Sequence, residues 1–321
     1  MSNSQTIKNF AMTGVGGYIA PRHLKAIRET GNRLLAACDP SDSVGVLDSF
    51  FNDVKFFTEF ERFDRHCEKL RRQGDDARVH YLTICSPNYL HDAHVRFALR
   101  IGADAICEKP LVLNPWNIDA LHELENESGR RVFTILQLRV HPALIALREK
   151  LLADKSDKKH EVVLTYITSR GLWYLVSWKG NVERSGGLAT NIGIHFFDLL
   201  IWLFGPVKQN ELHISSPLTT SGFLELERAN VRWFLSIDRT NLPSEIKAKN
   251  QPTYRSITID SQEVEFSEGF TDLHTEVYRR TLSGRGFGLA DVRPSIELAH
   301  DMRVAAPIGP TDRAHKLSRS L

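Results

Sequence analysis

The residue types best suited to chemistry stand at the ends of short apolar runs. Residues 9–13 lead into Gly14-Val15-Gly16-Gly17-Tyr18-Ile19-Ala20. There Gly14 allows a tight turn, and Gly16 lets the backbone approach a diphosphate whose charge the next helix N-terminus stabilises. The third glycine of a G-x-G-x-x-G pattern is replaced by Ile19, with the small Ala20 beside it. Glycines at a strand-to-helix turn also serve geometry alone, so a second element is needed. Asp39 supplies it, ending the next apolar run a little over ~20 residues beyond the glycines. A carboxylate there can accept both adenosine-ribose hydroxyls and repel a 2′-phosphate, which predicts NAD rather than NADP. The plainer alternative is that Asp39 only opens the turn Asp39-Pro40-Ser41.

Two later strand ends carry polar signatures. Cys85-Ser86-Pro87-Asn88-Tyr89-Leu90-His91 follows the apolar run 79–84, and Glu108-Lys109-Pro110 follows 103–106. Pro87 and Pro110 stop their strands and restrict the residues before them, which fixes the exits of Ser86 and Lys109. Lys109 could be a surface partner of Glu108, but a strand-end lysine held against a proline in a dinucleotide cleft is better placed for chemistry than for solvation. A third constellation is Asn191-Ile192-Gly193-Ile194-His195. A satisfied core histidine is the bland alternative for His195; the adjoining Gly193 and Asn191 favour a cleft position.

Those residues need a frame. Apolar runs at 9–13, 33–38, 79–85, 103–107 and 132–136 are too short for helices, and between them lie helix-like patterns at 24–30, 60–72, 91–101 and 114–126. Continuous hydrophobicity in the runs is what a parallel sheet buried on both faces requires, with ligands at the strands' carboxyl ends. Beyond Val140 the pattern changes. A helix near 142–152, a β-branched run 162–168 and an amphipathic segment 192–204 ended by Gly205-Pro206 precede strand-rich pieces at 211–215, 222–226, 232–237 and 254–259. Helical patterns at 273–282 and 294–303 close the chain. The predicted fold is α/β: a Rossmann dinucleotide-binding domain over 1–136, then an α+β substrate domain over 137–321 with a mainly antiparallel sheet. The cleft between them is the expected site.

Composition narrows the partners. At 321 residues two domains are expected, and 42% hydrophobic with 25% charged residues is ordinary for a chain with a full core. A formal charge of +2, from 41 Lys+Arg against 39 Asp+Glu, is too balanced for a nucleic-acid footprint. The N-terminus lacks a basic region followed by a long apolar one, and no apolar stretch approaches a membrane-spanning length, which predicts a cytoplasmic protein without a membrane partner. The four cysteines, Cys38, Cys67, Cys85 and Cys107, show no C-x-x-C or Cys/His ligand spacing. Reduced, buried thiols and no metal are expected.

The glycine loop, the Glu108-Lys109-Pro110 triplet and the segment Gly186-Gly187-Leu188-Ala189-Thr190-Asn191-Ile192-Gly193-Ile194-His195-Phe196-Phe197-Asp198 together resemble the glucose-fructose oxidoreductase and inositol dehydrogenase family. The resemblance runs from Gly14 to the Asp291-Val292-Arg293-Pro294-Ser295-Ile296 segment. Within the family, residues 171–180, 187–198 and 266–274 are most similar to the UDP-N-acetylglucosaminuronate 3-dehydrogenases of bacterial O-antigen synthesis. That likeness implies NAD-dependent oxidation of a UDP-sugar acid at C3, a large open second sheet whose outer face mediates assembly into a homotetramer, and in some relatives 2-oxoglutarate as the acceptor that reoxidises NADH. A dehydrogenase of a free sugar or cyclitol, and a non-catalytic NAD-binding sensor, are the alternatives.

The resemblance also implies roles. Lys109 and His195 are the expected catalytic pair, and Asn191, Tyr174, Lys109 and His195 the expected sugar contacts. Gly14, Gly16, Gly17, Tyr18, Ile19, Asp39, Ser86, Asn88, His91, Glu108, Lys109, Gln137 and Trp178 are the expected cofactor contacts. His195 suits the base and Lys109 the stabiliser of the developing alkoxide, with the reverse assignment open. One departure matters: Asn191 stands where many members carry Asp, and an amide cannot stabilise an imidazolium by charge. Asp198, three residues after His195, is expected to be structural. Arg139, Arg170, Lys179, Arg279 and Arg285 are candidate cations for the diphosphate and carboxylate.

Overall fold

The computed structural model describes residues 7–156, 158–266 and 272–320. Its first elements alternate: β1 (Asn9–Thr13), α1 (Ala20–Glu29), β2 (Arg33–Cys38), β3 (Lys55–Phe57), α2 (Phe60–Arg72), β4 (Tyr81–Ile84), α3 (His91–Arg100), β5 (Asp104–Cys107), α4 (Pro115–Ser128) and β6 (Val132–Thr134). The strands form one parallel sheet in the order β3-β2-β1-β4-β5-β6. Every residue of β1 is buried, as its unbroken apolar run requires when helices cover both faces. The order reverses beside β1, and in such sheets ligands bind at the carboxyl ends around that reversal. The helix expected from residue 24 begins at Ala20, because Pro21 in its first turn has a backbone angle already suited to a helix start.

The second series is α5 (Pro142–Ala153), β7 (His160–Thr168), the short α6 (Trp173–Val176) and α7 (Val182–Ser185), α8 (Ile194–Phe204), β8 (Val207–Ser215), β9 (Thr219–Leu226), β10 (Ala229–Ser236), α9 (Ser244–Ala248), β11 (Thr253–Ile259) and β12 (Gln262–Glu263). Its strands make a six-stranded sheet in the order β12-β11-β7-β10-β9-β8. Only β7 and β10 pair in parallel; the other pairs are antiparallel. Gly205, at φ +85°, ends α8 before Pro206. Two last helices follow, α10 (Leu273–Leu282) and α11 (Leu289–Val304), the latter beginning before Pro294 and carrying it inside.

The chain divides into two compact units: Met1–Val140 with Gly269–Arg293, and His141–Glu268 with Pro294–Leu321. A single boundary after residue 136 would leave all of 137–321 together, yet 269–293 returns to the first unit. The reason is packing: α10 lies against α1, and the Tyr278 ring stacks 5.9 Å from Phe10 of β1. Ser267–Thr271, part of one stretch that carries the family resemblance, lie outside the described residues.

Two sequence expectations meet the structure directly. All four cysteines are buried free thiols, and burial raises the Cys38 thiol to about 11. The expectation that no apolar stretch reaches membrane-spanning length needs correction. The helical run Val182–Phe204, 23 residues, is long and apolar enough by length and composition, and 72% of its apolar window is buried in the fold. The sequence pattern shows only 192–204 of this run, because the glycines and polar residues of 182–191 hide the continuity.

Gly222 of β9 marks the tightest point of the second sheet. A Cβ there would lie 2.1 Å from Glu211 O and 2.7 Å from Trp233 Cζ2. Gly222→Ala is therefore expected to destabilise the second unit by about 1–3 kcal/mol through overpacking. Urea titration should register this as an earlier midpoint for that unit, with dinucleotide affinity unchanged; an unshifted midpoint would contradict it.

Candidate functional site

In the first unit the glycine loop takes its shape from backbone contacts. Gly14 N–H donates to Cys38 O (2.8 Å) and Gly17 N–H to Gly14 O (3.1 Å). Gly14 has φ +77°, and a Cβ there would lie 2.4 Å from both Cys85 C and Ser86 N, so only glycine fits between the ends of β1 and β4. Asp39 meets the loop: its Oδ2 accepts from Gly16 N–H and its Oδ1 from Ser41 N–H, each at 2.9 Å. A side chain at Gly16 would crowd that carboxylate, its Cβ 3.2 Å from Asp39 Cγ. Tyr18 is exposed, and Ile19 precedes α1 without capping it by a side chain, so the helix start faces the loop with its dipole uncompensated.

The other strand ends are tied together. Ser86 Oγ lies 2.8 Å from His94 Nδ1, and burial lowers the His94 imidazole to about 4. His91 bridges two exits, its ring nitrogens 2.7 Å from Pro110 O and 2.8 Å from Ser86 O. Burial pushes its pKa down, and a neutral ring donates to one of the two carbonyls. Asn88 is buried at the start of a short turn, Asn88–Leu90. Gln137, just past β6, keeps its Oε1 buried without a hydrogen-bond donor. The glycine cradle, the carboxylate beside it and this orphaned acceptor fit a dinucleotide.

Glu108 behaves differently from an outward-facing contact. It is 6% exposed, its Oε1 lies 3.0 Å from His23 Nε2 and 3.1 Å from His274 Nε2, and its Oε2 accepts from Lys109 N–H at 3.2 Å. Burial alone would raise its pKa, but the bonds from His23 and His274 outweigh that and hold the carboxyl well below the usual range. Burial lowers His274. Lys109 itself is half-buried.

In the second unit, residues Ala189–Gly193 form a π-helical turn that runs into α8. Such turns are frequent at functional sites. A Cβ on Gly193 would lie 2.5 Å from Leu235 Cδ1, so the missing side chain lets the turn sit against β10. Asn191 and His195, four residues apart, share one side of this turn. Asn191 Nδ2 donates to Tyr174 Oη at 2.6 Å, and the Tyr174 ring is 2% exposed. Tyr174, expected to touch sugar, thus offers its hydroxyl to Asn191. The Tyr166 ring of β7 stands edge-on to His195, centroids 6.0 Å apart. Asp198 is buried. Trp178 is half-buried under Lys179 Nζ, 4.2 Å from its ring centre.

The candidate cations separate. Arg139 is engaged inside the first unit, its Nη1 3.3 Å from Asp291 Oδ1 and Nη2 2.9 Å from Asp291 O. Arg279 faces Glu276 at 3.6 Å, and Arg285 donates to Ser283 Oγ. Burial and then the charge of Arg170 lower Lys179, whose Nζ lies 5.8 Å from the Trp173 ring centre and 4.2 Å from that of Trp178. Sequence reasoning missed His23, His274 and Tyr278, as well as Tyr166 and Arg255, which pair across β7 and β11. His274 closes a family-like stretch, the one signal that could have raised it; His23 offered none.

A family model described as "Oxidoreductase family, NAD-binding Rossmann fold" matches residues 8–136, and its companion, "Oxidoreductase family, C-terminal alpha/beta domain", matches 159–238. Among solved structures, the WlbA (WbpB) dehydrogenase of Thermus thermophilus in complex with NAD and alpha-ketoglutarate is 55% identical, with a TM-score of 0.91 over 95% of this chain and 98% of that one. The same enzyme with NAD and UDP-GlcNAcA is 54% identical, with a TM-score of 0.91 over 96% and 98%. A putative UDP-kanosamine synthase oxidoreductase subunit of Amycolatopsis mediterranei (strain S699) is 33% identical over 40% of this chain and 35% of its own length. The chain spans 35% to 39% of the length of this and the next two curated relatives.

The position of Asp39 beside Gly16 generates a test of cofactor choice. NAD is expected to bind at least ~1.4 kcal/mol, or about tenfold, more tightly than NADP. Asp39→Ala should narrow that gap. Calorimetry with both dinucleotides decides it, and equal affinities for the unaltered protein would overturn the role given to Asp39.

Proposed function

The chain belongs to the Gfo/Idh/MocA oxidoreductase family, and from that premise we propose that it oxidises the C3 hydroxyl of UDP-N-acetylglucosaminuronic acid to the 3-ketone with NAD. The observation that carries this reading is the 54% identity over 96% of the chain to the Thermus thermophilus WlbA seen with NAD and UDP-GlcNAcA. The product suits transamination toward a 2,3-diamino sugar acid of O-antigen. Family likeness supports a cytoplasmic homotetramer, with 2-oxoglutarate as the oxidant that returns NADH to NAD. Residues 1–136 serve the cofactor, and the larger part of 137–321 serves the sugar and assembly.

The chemistry asked of the side chains is that of any alcohol oxidation. An alcohol releases hydride from carbon readily only as its oxygen becomes negative, so a base must take the hydroxyl proton. The His195 imidazole takes it, since a neutral ring nitrogen can accept a proton as general base. The Lys109 ammonium stabilises the developing alkoxide, and the C3–O bond becomes a carbonyl as the C3–H pair leaves. A dinucleotide held by the glycine loop and Asp39 would supply the hydride acceptor. Asn191 positions the sugar, its amide held by Tyr174.

Specificity offers one test. A site built to pair a carboxylate rejects an analogue lacking it, because its cations are left unpaired. UDP-N-acetylglucosamine, neutral at C6, is expected to show kcat/KM lower by about 10²-fold or more. Comparable values for the two sugars would return the reading to a neutral sugar or cyclitol dehydrogenase.

Single-turnover NADH formation offers another. His195→Asn should keep NAD affinity and lose ~10²–10⁴ in rate, whereas Asn191→Ala should mainly raise KM for the sugar. A near-normal rate for His195→Asn would move the base to Lys109.

A further inference from the structure

Three residues distant in sequence converge in the first unit away from any surface. His23 comes from α1, the helix that follows the glycine loop; Glu108 from the end of β5; His274 from the first turn of α10. They are 0%, 6% and 2% exposed. Their ligand-type atoms lie within 4.8 Å of one another, and two histidines with a carboxylate have the composition of a metal site. The distances favour proton sharing. Both Nε2 atoms sit at hydrogen-bond length from the same oxygen, 3.0 and 3.1 Å, and the other groups complete a consistent chain of donors.

That chain follows from what each group can do. An ionised carboxylate only accepts, so His23 and His274 both donate through Nε2–H. With its Nε2–H donating, His23 accepts at Nδ1 from Tyr278 O–H, 2.9 Å away, and Tyr278 Oη accepts from Thr83 O–H at 2.8 Å. The remaining oxygen of Glu108 accepts Lys109 N–H. Two residues on, Pro110 O lies against His91. The Lys109 peptide is therefore held at both sides, and the holder is linked to α1, β4 and α10.

We propose that Glu108, gripped by His23 and His274, is a positioning residue that sets the backbone carrying Lys109 relative to the glycine-loop helix. This rests on the role proposed for Lys109. The remote histidines do not touch reactants; they fix the carboxylate, and the carboxylate fixes the peptide. A shift of about 1 Å in a reacting group costs on the order of 10²-fold in rate, so a holder of this kind has a measurable effect. Glu108 is thereby an internal brace rather than a cofactor contact.

Two substitutions separate positioning from charge. Glu108→Ala removes the acceptor for Lys109 N–H and is expected to slow single-turnover NADH formation about 10- to 100-fold, with NAD affinity within about threefold. Glu108→Gln should restore most of the rate. Its carbonyl can accept Lys109 N–H while its amide donates to both histidines, once each has moved its proton to Nδ1 and the Tyr278–Thr83 chain has reversed. His274→Leu, which leaves one donor on Oε1, should lie between the two and serves if Glu108→Ala does not fold. A crystal structure of Glu108→Ala, or of His274→Leu, should show the Lys109 backbone displaced. Lys109 in its original place, an alanine variant as fast as the parent, a glutamine variant as slow as the alanine one, or a stoichiometric metal in the purified protein would each overturn the inference. Lys109→Ala run alongside tests the parent reading alone: normal turnover there would remove the catalytic role, while the displacement of the Lys109 backbone still decides what Glu108 does.

Discussion

A carboxylate taken out of water needs its lost solvent replaced by donors, or it protonates or destabilises the fold. Glu108 meets that demand with two imidazole N–H groups and one peptide N–H, drawn from α1, α10 and its own neighbour. Each donor is a constraint on the element that carries it. Because α10 must deliver His274 and Tyr278, residues 269–293 belong with the first unit although 141–268 intervene. The hydrophobic contact of Tyr278 with Phe10 and the Lys25–Asp272 pair of 2.7 Å follow the same path, the latter exposed and weak. The return of the chain to the nucleotide-binding sheet is thus tied to one buried charge.

Around this brace the parallel sheet does the coarse positioning. Its strands end on one side, so Gly14, Asp39, Ser86 and Lys109 leave β1, β2, β4 and β5 together. Steric limits then refine the exits. Gly14 cannot carry a Cβ against the Cys85–Ser86 peptide, and Gly193 cannot carry one against Leu235. In both units a missing side chain brings a candidate segment of the site onto a strand.

Much of this was legible from sequence, for a physical reason. Strands buried on both faces are continuous apolar runs, and five of the six in the first sheet could be read that way; α2 and α10 have the predicted bounds. Lys55–Phe57 was not legible, since three half-exposed residues on an edge carry no pattern. Local spacing also brought Asp39 to the glycine loop. It could not join His23 to His274, which are separated by 251 positions and look like ordinary polar sites on two amphipathic helices. Nor could it tell that Arg139 would be engaged by Asp291, or that Tyr174 would turn its hydroxyl to Asn191 rather than outward. Local chemistry is written in short stretches, whereas satisfaction of buried polar groups is settled between distant ones.

The Asn191–Tyr174 contact shows how one atom sets the polarity of a site. With an amide at 191, Nδ2 donates and the phenol oxygen accepts, so the Tyr174 hydroxyl proton is directed elsewhere. An aspartate in the same place could only accept, and the phenol would have to turn its proton toward it. The pair would also bring a negative charge against a ring that is 2% exposed, where burial already holds the Tyr174 hydroxyl above its ordinary pKa. Replacing an acceptor-only group by an amide therefore does more than remove a charge beside His195. It reverses a buried hydrogen bond, so position 191 and position 174 must be read together: the amide at 191 donates where a carboxylate could only accept, and the tyrosine oxygen at 174 is its acceptor.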